Sequence, residues 1–243
     1  MLRTTAAPGR TSEWKAHRLT SFERDGFDII VPGLAPDELE ALRREFPPDA
    51  PNRRNLFTFS PLLEEFVASA SFSRHAAEIL GPNCFAVRAV FFNKIVKSNW
   101  HVPWHQDIGV PLRERRNVDG FSAFTVKDGI IHANAPGEVL AKLVVLRLHL
   151  DDATSANGAM RLVAGSHAAG RLHDDEIDSW AAKGREVQPE IPAGGILRLR
   201  PLLLHASAHS SSDAPRRVIH IEYASEALPG GLAWANQVKV ETR

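Results

Sequence analysis

The sequence predicts an α+β protein in which a helical N-terminal third packs on an antiparallel, β-rich remainder. Between residues 35 and 81, apolar residues recur at helical spacing in three segments separated by proline and glycine. From Phe85 onward the apolar period shortens to that of strands, with aromatic and β-branched residues in short runs between turn signals. We find no repeat, linker or low-complexity block. One domain is therefore expected over residues 17–243, preceded by a flexible arm over residues 1–16.

Charge and cysteine content narrow the class of partner. The 243 residues hold 29 Lys plus Arg and 29 Asp plus Glu, so no bulk field attracts nucleic acid or an anionic membrane. A small-molecule partner is expected, and the oligomeric state is left open. The single cysteine, Cys84, excludes an internal disulfide and is expected to be buried. No signal-peptide core and no run of about 18 apolar residues is found, so a cytoplasmic protein is expected.

The helical third is defined by its start and stop residues. A proline opens the main helix, whose apolar residues share one face, and Pro47-Pro48 ends it. Gly81-Pro82 stops the last of the three. The expected segments are a helix end running into a strand over residues 22–31, then helices over residues 35–46, 61–66 and 73–80.

The β-rich remainder is divided by turn signals. Asn157-Gly158 predicts a sharp reversal. Pro201 interrupts the longest run and suggests an edge position or a bulge. The irregular stretch between Pro111 and Pro136 is either a lid or pocket wall, or an ordinary solvated loop. The expected strands cover residues 85–92, 100–107, 143–151, 159–163, 187–191, 196–205 and 216–223, with a helix over residues 176–182.

The stretch Trp100-His101-Val102-Pro103-Trp104-His105-Gln106-Asp107 carries the strongest functional signal. If it runs as a strand, His105 and Asp107 point to one face, because side chains alternate with period two. About 100 residues later, His205 follows an apolar run and offers a third ligand. Two histidines and one carboxylate on a single face of an octahedron leave three positions open, as in non-haem Fe(II) oxygenases. An iron site is therefore the leading hypothesis.

The pattern His-x-Asp also occurs at His149/Asp151 and His173/Asp175. The last pair lies in a polar stretch typical of a helix start, where carboxylates meet the positive end of the helix dipole. His149/Asp151 ends a convincing strand and is the real competitor. Little strand-like sequence separates this pair from His205, whereas a barrel site places several strands between its first two ligands and the third. We therefore favour the first pair and keep the second as the alternative.

Six short motifs occur in an order and spacing that are specific in combination. They are Phe92-Asn93-Lys94, Trp104-His105-Gln106-Asp107, Asn157-Gly158, Gly165-Ser166-His167, His205-Ala206-Ser207 and Arg216. Together they resemble the phytanoyl-CoA dioxygenase family of Fe(II)/2-oxoglutarate oxygenases, over roughly residues 20 to 225. The resemblance implies a double-stranded β-helix barrel, also called a jelly roll or cupin-like fold, with flanking helices. It also implies that His105, Asp107 and His205 bind iron.

The resemblance further implies how 2-oxoglutarate is held. In the family an arginine 11 residues beyond the distal histidine binds the far carboxylate of the cosubstrate, and here that position is Arg216. A guanidinium grips a carboxylate with two charge-assisted hydrogen bonds. The neighbouring Arg217 is the alternative, since alternation alone does not choose between them.

Four more positions match cosubstrate-lining positions of the family. Ser207 lies two residues after the distal histidine, Gln106 lies inside the His-Gln-Asp motif, and Val90 lies three residues before Asn93. Arg147 stands where relatives often carry a tryptophan. This departure leaves the lining of the pocket to be established.

The activity implied by the resemblance is hydroxylation of a small molecule, with Fe(II) as cofactor and 2-oxoglutarate and O2 as cosubstrates. Succinate and CO2 would be the coproducts. Asp107 favours hydroxylation, because halogenases of this type lack the carboxylate. Two other classes stay open: a cupin-like metal-dependent isomerase or hydrolase, which has no use for Arg216, and a catalytically silent barrel that binds a small ligand. The substrate is not predicted.

Overall fold

The computed structural model describes residues 21–241, and the arm predicted over residues 1–16 lies outside them. The strands are β1 (Phe27–Ile30), β2 (Phe85–Lys94), β3 (Val102–His105), β4 (Gly109–Leu112), β5 (Ser122–Lys127), β6 (Ile130–Asn134), β7 (Val144–His149), β8 (Met160–Ala164), β9 (Arg185–Val187), β10 (Ile196–Leu199), β11 (His205–Ser207), β12 (Arg216–Ala224) and β13 (Val238–Lys239). The helices are α1 (Pro36–Glu45), α2 (Pro61–Ala68), α3 (Ala70–Leu80), α4 (Gly137–Leu140) and α5 (Asp174–Lys183). Short 3-10 helices span Leu56–Thr58, Ser155–Asn157, Ser166–Ala169 and Pro229–Gly231.

The strands form three antiparallel sheets. A six-stranded sheet has the order β1-β10-β7-β12-β2-β13, and a four-stranded sheet has the order β3-β11-β8-β9. Apolar residues from both sheets share one cluster, among them Val145 and Leu197 of the larger sheet and Leu162 of the smaller. The two sheets therefore face each other as the walls of a jelly roll, which confirms the predicted fold class. The third sheet has the order β4-β6-β5.

Helices α1, α2 and α3 cover the outer face of the six-stranded sheet. Helix α1 opens at a proline, and the Glu38 carboxylate accepts a hydrogen bond from the Ala35 N–H at 2.9 Å. Helix α2 is capped by Ser60, whose hydroxyl accepts from the Leu63 N–H at 3.1 Å. The core that they form with the sheet combines apolar helix and strand residues: Leu42, Leu63, Phe72, Ala89, Leu146, Leu148, Ile219 and Ile221.

Alternation sends the remaining strand side chains into the space between the two walls. In β7, Leu146 and Leu148 join the helix-side core, so Arg147 and His149 point the opposite way. All nine residues of β12 are buried although the strand carries four charged or histidine side chains. Strands buried on both faces are normally apolar almost throughout. Polar residues at alternate buried positions therefore indicate that the barrel interior holds a site.

Two sequence predictions are wrong in this region. The stretch between Pro111 and Pro136, predicted to be irregular, contains most of the third sheet; β5 is largely exposed and so lacks a clear apolar period. The run over residues 196–205, predicted as one strand, is two strands in different sheets. The chain turns at Pro201 and passes from the larger wall to the smaller, so this proline marks a turn between β10 and β11.

Cys84 is buried, as predicted, at 2% exposure. None of the helices within residues 21–241 has the length and apolar character needed to cross a membrane.

Candidate active site

Three side chains converge inside the barrel. A ring nitrogen of His105, a ring nitrogen of His205 and a carboxylate oxygen of Asp107 lie within 4.8 Å of one another, and no other such group of three occurs among residues 21–241. Nε2 of His105 lies 3.8 Å from one Asp107 oxygen, and Nε2 of His205 lies 3.5 Å from the other. An ion bonded at roughly 2.0–2.2 Å reaches two ligands up to about 4.2 Å apart. Both measured pairs therefore fit one divalent ion.

The backbone fixes the tautomer of both histidines. Nδ1 of His105 lies 2.9 Å from the Pro103 carbonyl oxygen, and Nδ1 of His205 lies 2.8 Å from that of Leu203. A carbonyl oxygen only accepts hydrogen bonds, so each Nδ1 carries a proton, and in the neutral form of each ring Nε2 presents its lone pair. Metal-binding histidines are oriented in this way.

Electrostatics favours the metal-binding forms of these groups. Burial lowers the pKa of His205 to about 4, although Asp107 opposes the shift, so the ring is neutral near pH 7. Desolvation disfavours the Asp107 carboxylate, but the surrounding basic groups, led by His205, outweigh it and hold the pKa of Asp107 well below its usual range. The site thus presents a neutral His205 imidazole beside the Asp107 carboxylate.

The ligands are positioned by neighbouring strands of the smaller wall. His105 ends β3 and pairs directly with His205 of β11. Asp107 lies beyond the strand end, and its N–H donates to the Pro201 carbonyl at 3.0 Å, which keeps the chain extended. Ligand spacing was therefore predicted correctly from alternation, although the strand ends two residues earlier than expected.

Gln106 requires a correction, because it does not face the site. Its amide nitrogen donates to the carbonyls of Gly170 and Leu202, and its amide oxygen accepts from the Leu172 N–H. Lying between His105 and Asp107, it points the opposite way and ties two loops together. Strand alternation predicts this direction, so its position in the motif was a misleading guide.

The competing His-x-Asp pairs do not form metal sites. Asp151 is bound to the Arg217 guanidinium at 2.7 Å, and both ring nitrogens of His149 are buried without a hydrogen-bond partner in the described residues. His173 precedes α5, whose first turn carries Asp175, as the sequence predicted.

A polar cluster from the larger wall faces the ligands. Arg216 is 4% exposed, and its Nε donates to the Asn157 carbonyl at 3.2 Å. Its two terminal nitrogens make no hydrogen bond within residues 21–241. Lys94 donates to Ser207 Oγ at 2.8 Å, and that hydroxyl donates to the Gly158 carbonyl at 3.0 Å. The lysine therefore connects the two walls at the same end as Arg216.

The Asn157-Gly158 turn supports this end of the cavity. Gly158 has φ +73°, and a Cβ there would lie 2.7 Å from the Ala208 carbonyl oxygen and 3.1 Å from Lys94 Nζ. Only glycine combines this conformation with so close an approach. The reversal predicted from sequence thus supplies the backbone carbonyls that hold Arg216 and Ser207.

Arg217 points the other way from Arg216. Its guanidinium binds the Asp151 carboxylate and the Phe46 carbonyl, on the helix side of the sheet. Of the two arginines between which the sequence left the choice open, only Arg216 lines the cavity.

A second buried arginine lies deeper along the same wall. Nη1 of Arg147 lies 3.0 Å from Nδ1 of His220, whose Nε2 lies 3.1 Å from Glu222 Oε1. That carboxylate also accepts from Arg88 at 3.0 Å. Because a guanidinium only donates, His220 Nδ1 is the acceptor, its Nε2–H donates to Glu222, and the ring is neutral.

These groups surround one cavity with a volume of about 190 Å³. Its lining is Arg88, Phe92, Trp100, Val102, His105, Asp107, Arg147, Met160, His205, Ala206, Ser207, Arg216 and His220. Val90 lies on the inward face between Arg88 and Phe92 but does not reach the cavity, which corrects its expected role. Lys94, His220 and Glu222 were not predicted as site residues, although the alternation of buried polar residues in β2 and β12 is a signal for them.

The phytanoyl-CoA dioxygenase (PhyH) family model matches residues 46–218. No curated protein sequence matches the chain significantly. Among solved structures, AviO1 from Streptomyces viridochromogenes Tue57 is similar with a TM-score of 0.63 at 24% identity, over 93% of this chain and 99% of that one. EctD from S. alaskensis gives 0.68 at 17% identity, over 99% and 90%. HygX from Streptomyces hygroscopicus, with nickel and 2-oxoglutarate bound, gives 0.62 at 18% identity, over 86% and 85%.

A jelly roll whose interior combines a His-Asp-His group with a buried arginine defines the class of Fe(II)/2-oxoglutarate-dependent oxygenases. The family match covers well over half of the chain, and the chain belongs to the phytanoyl-CoA dioxygenase (PhyH) family. The resemblance stated from the sequence motifs is confirmed.

Proposed function

We propose that this oxygenase hydroxylates a small molecule, with Fe(II) held by His105, Asp107 and His205 and with 2-oxoglutarate held by Arg216 and Ser207. The observation that carries the proposal is the convergence of three ligand atoms in a cavity that also contains the free edge of a buried guanidinium. Iron and 2-oxoglutarate, when bound, supply the oxidising chemistry with O2, and succinate and CO2 are the coproducts.

The three residues would hold an iron ion from one side. His105, Asp107 and His205 all come from the β3 and β11 side, so the opposite side of a bound ion would be left for the cosubstrates. The Asp107 carboxylate would occupy the position that a halide needs, and this supports hydroxylation.

The cosubstrate is matched by the donors at the other end of the cavity. Arg216 offers two terminal nitrogens that lack partners in the described residues, as a bidentate carboxylate contact requires. Ser207 and the Lys94 ammonium lie beside it. Burial and the charge of Arg147 lower the pKa of Arg216 to about 9, which still leaves the guanidinium charged near pH 7. A carboxylate bound there would relieve the desolvation of this charge.

A small-molecule substrate is consistent with similar structures. EctD has been solved with 2-oxoglutarate and 5-hydroxyectoine, and HygX with hygromycin B. The cavity of about 190 Å³ is small beside the 300–1,000 Å³ typical of drug-sized ligand sites. A compact substrate, or one that extends out of the mouth, fits this size.

The proposal is tested by adding 2-oxoglutarate to the Fe(II)-loaded protein without O2 and recording the visible charge-transfer band. We expect a saturable band in the natural protein and none in Asp107→Ala. Admission of O2 should then release succinate, even without substrate. If the protein binds Fe(II) but shows neither the band nor succinate, it is not an oxygenase of this type.

A further inference from the structure

The cavity contains more positive charge than the proposed cosubstrate requires. Lys94, Arg147 and Arg216 all face the interior, and none has a carboxylate partner among residues 21–241. Arg88 is already neutralised by Glu222 at 3.0 Å. The unbalanced cations therefore number three, before any ligand is counted.

The excess persists when the site is filled as proposed above, on which this inference rests. The two charges of Fe(II) balance the two carboxylates of 2-oxoglutarate, and the Asp107 carboxylate balances one of the three cations. Two positive charges remain in a buried space. An uncompensated buried charge is costly unless a counterion or hydrogen-bond acceptor pairs with it. The charge balance therefore indicates a second anionic ligand.

Arg147 is the group best placed to bind that anion. It is 7% exposed, and only Nη1 has a hydrogen-bond partner, His220. Its Nε is buried without a partner, and its Nη2 makes no hydrogen bond in the described part of the chain. Glu222 does not pair with Arg147, because the neutral His220 ring stands between them. One edge of a charged guanidinium is thus left for a ligand.

The register separates Arg147 from the cosubstrate arginine. Arg147 pairs with His220, and His149 pairs with Val218 two residues closer to Arg216. The two arginines therefore lie four residues apart along one inward face, roughly 13 Å of strand. Burial lowers the pKa of Arg147 to about 10, and the carboxylate of Asp107 opposes this shift. Arg147 therefore interacts electrostatically with Asp107, one of the proposed iron ligands, from a position separate from that of Arg216.

A cation of the β5–β6 hairpin adds to this field. Lys127, near the tip of the β5–β6 hairpin, has its pKa lowered by burial and by Arg88, while Asp107 acts in the opposite direction. A cation at this position draws anions toward the site.

We propose that the substrate carries an oxyanion group, a carboxylate or a phosphate, and that Arg147 is the specificity-determining residue that binds it. The Arg88–Glu222–His220 chain positions Arg147 by occupying Nη1 and leaving the other edge of the guanidinium free.

The test uses protein loaded anaerobically with Fe(II) and saturating 2-oxoglutarate, so that the charge-transfer band reports occupancy of the cosubstrate site. Acetate, benzoate and inorganic phosphate are titrated at constant ionic strength, and benzamide serves as the uncharged match of benzoate. Binding is followed by calorimetry and by the thermal midpoint. We expect at least one anion to bind while the band is retained, at least about tenfold more tightly than benzamide. The anion preferred distinguishes a carboxylate from a phosphate site.

Arg147→Gln should weaken binding of the preferred anion at least about tenfold. It should change the 2-oxoglutarate affinity by less than about threefold. Arg147→Lys keeps the charge and should recover part of the binding, and it decides the matter if the glutamine variant does not fold. Lys142→Gln removes an exposed charge paired with Glu226 and should change neither affinity.

The proposal is overturned if no anion binds better than benzamide. It is equally overturned if Arg147→Gln weakens 2-oxoglutarate as strongly as loss of Arg216 does, because Arg147 would then belong to the cosubstrate site. Absence of the charge-transfer band in the natural protein would instead refute the oxygenase function itself, so the two failures are distinguishable.

Discussion

Replacing Arg216 with alanine should raise the 2-oxoglutarate concentration needed to half-saturate the Fe(II) protein. The guanidinium is 4% exposed, and only its Nε is used, by the Asn157 carbonyl. Its remaining nitrogens are thus available for a carboxylate in a poorly hydrated space. Loss of such a charge-assisted partner costs about 2–4 kcal/mol, which corresponds to a tens- to several-hundredfold loss of affinity. Iron should stay bound, since Arg216 is not a ligand.

The neighbouring arginine provides a matched control. Arg217 is also buried and charged, but it binds Asp151 and the Phe46 carbonyl on the helix side. Arg217→Ala should therefore leave 2-oxoglutarate binding nearly unchanged. It should lower the free energy of unfolding by about 2–4 kcal/mol, because the Asp151 carboxylate loses its partner.

Both variants are compared by anaerobic titration of 2-oxoglutarate, followed by the charge-transfer band, and by urea unfolding of the ligand-free proteins. Unchanged affinity in Arg216→Ala together with weakened affinity in Arg217→Ala would refute the assignment and move the cosubstrate contact by one residue.

Further outcomes are expected at the metal site and at Lys94. Asp107→Ala should weaken Fe(II) binding by more than about 100-fold, since loss of a supporting group alone costs 10–100-fold, whereas His149→Ala should retain iron in the same metal titration. A metal-free His149→Ala would transfer the site to the competing pair. His205→Ala should lose iron while His209→Ala keeps it, because His209 binds the Asn99 carbonyl outside the ligand group; equal iron contents would place the third ligand elsewhere. Burial, with the charges of two arginines, lowers the pKa of Lys94 to about 8 from 10.5. Between these pH values the unfolded chain holds more protons, so the free energy of unfolding should rise with pH across that window. Lys94→Met should show a smaller rise than the natural protein in urea unfolding at pH 8 and 10, where the lowered pKa of Arg216 contributes to both proteins, and an equal rise in the two would contradict the assignment.

The convergence of the three proposed iron ligands was predictable because their signals are local. Alternation places His105 and Asp107 on one face, and the run before His205 identifies it as a strand residue. The same rule places Gln106 on the opposite face, as the structure confirms. A motif specifies which residues occur together, whereas side-chain direction follows from the strand.

Two parts of the fold were not predictable from local pattern. Leucine-rich sequence continues on both sides of Pro201, so nothing in its period reveals that the chain turns there and changes sheets. Strand β5 was not predicted for the opposite reason, because it is mostly exposed and has no apolar face. In both cases the boundary depends on long-range pairing that short-range periodicity does not contain.

The buried hydrogen-bonded chain of Arg88, Glu222 and His220 was not predicted, for a different reason. Each residue is an unremarkable polar position when read alone. The signal is collective: from Ile219 to Tyr223, β12 alternates apolar with charged or histidine residues although every position is buried. Such a pattern becomes informative only once burial on both faces is known.

The metal ligands and the cavity arginines come from different walls of the barrel, and this separation has a consequence for how the substrate range could be changed. Two of the iron ligands lie on strands of the smaller wall and Asp107 directly follows β3, while Arg147 and Arg216 project from the larger wall. The inward-facing residues of β2, β7 and β12 can thus be substituted one at a time without changing a metal ligand. Laboratory evolution of this barrel should therefore yield variants with new substrate preferences and intact iron binding, provided that Arg216 and the Lys94–Ser207 contact between the walls are kept.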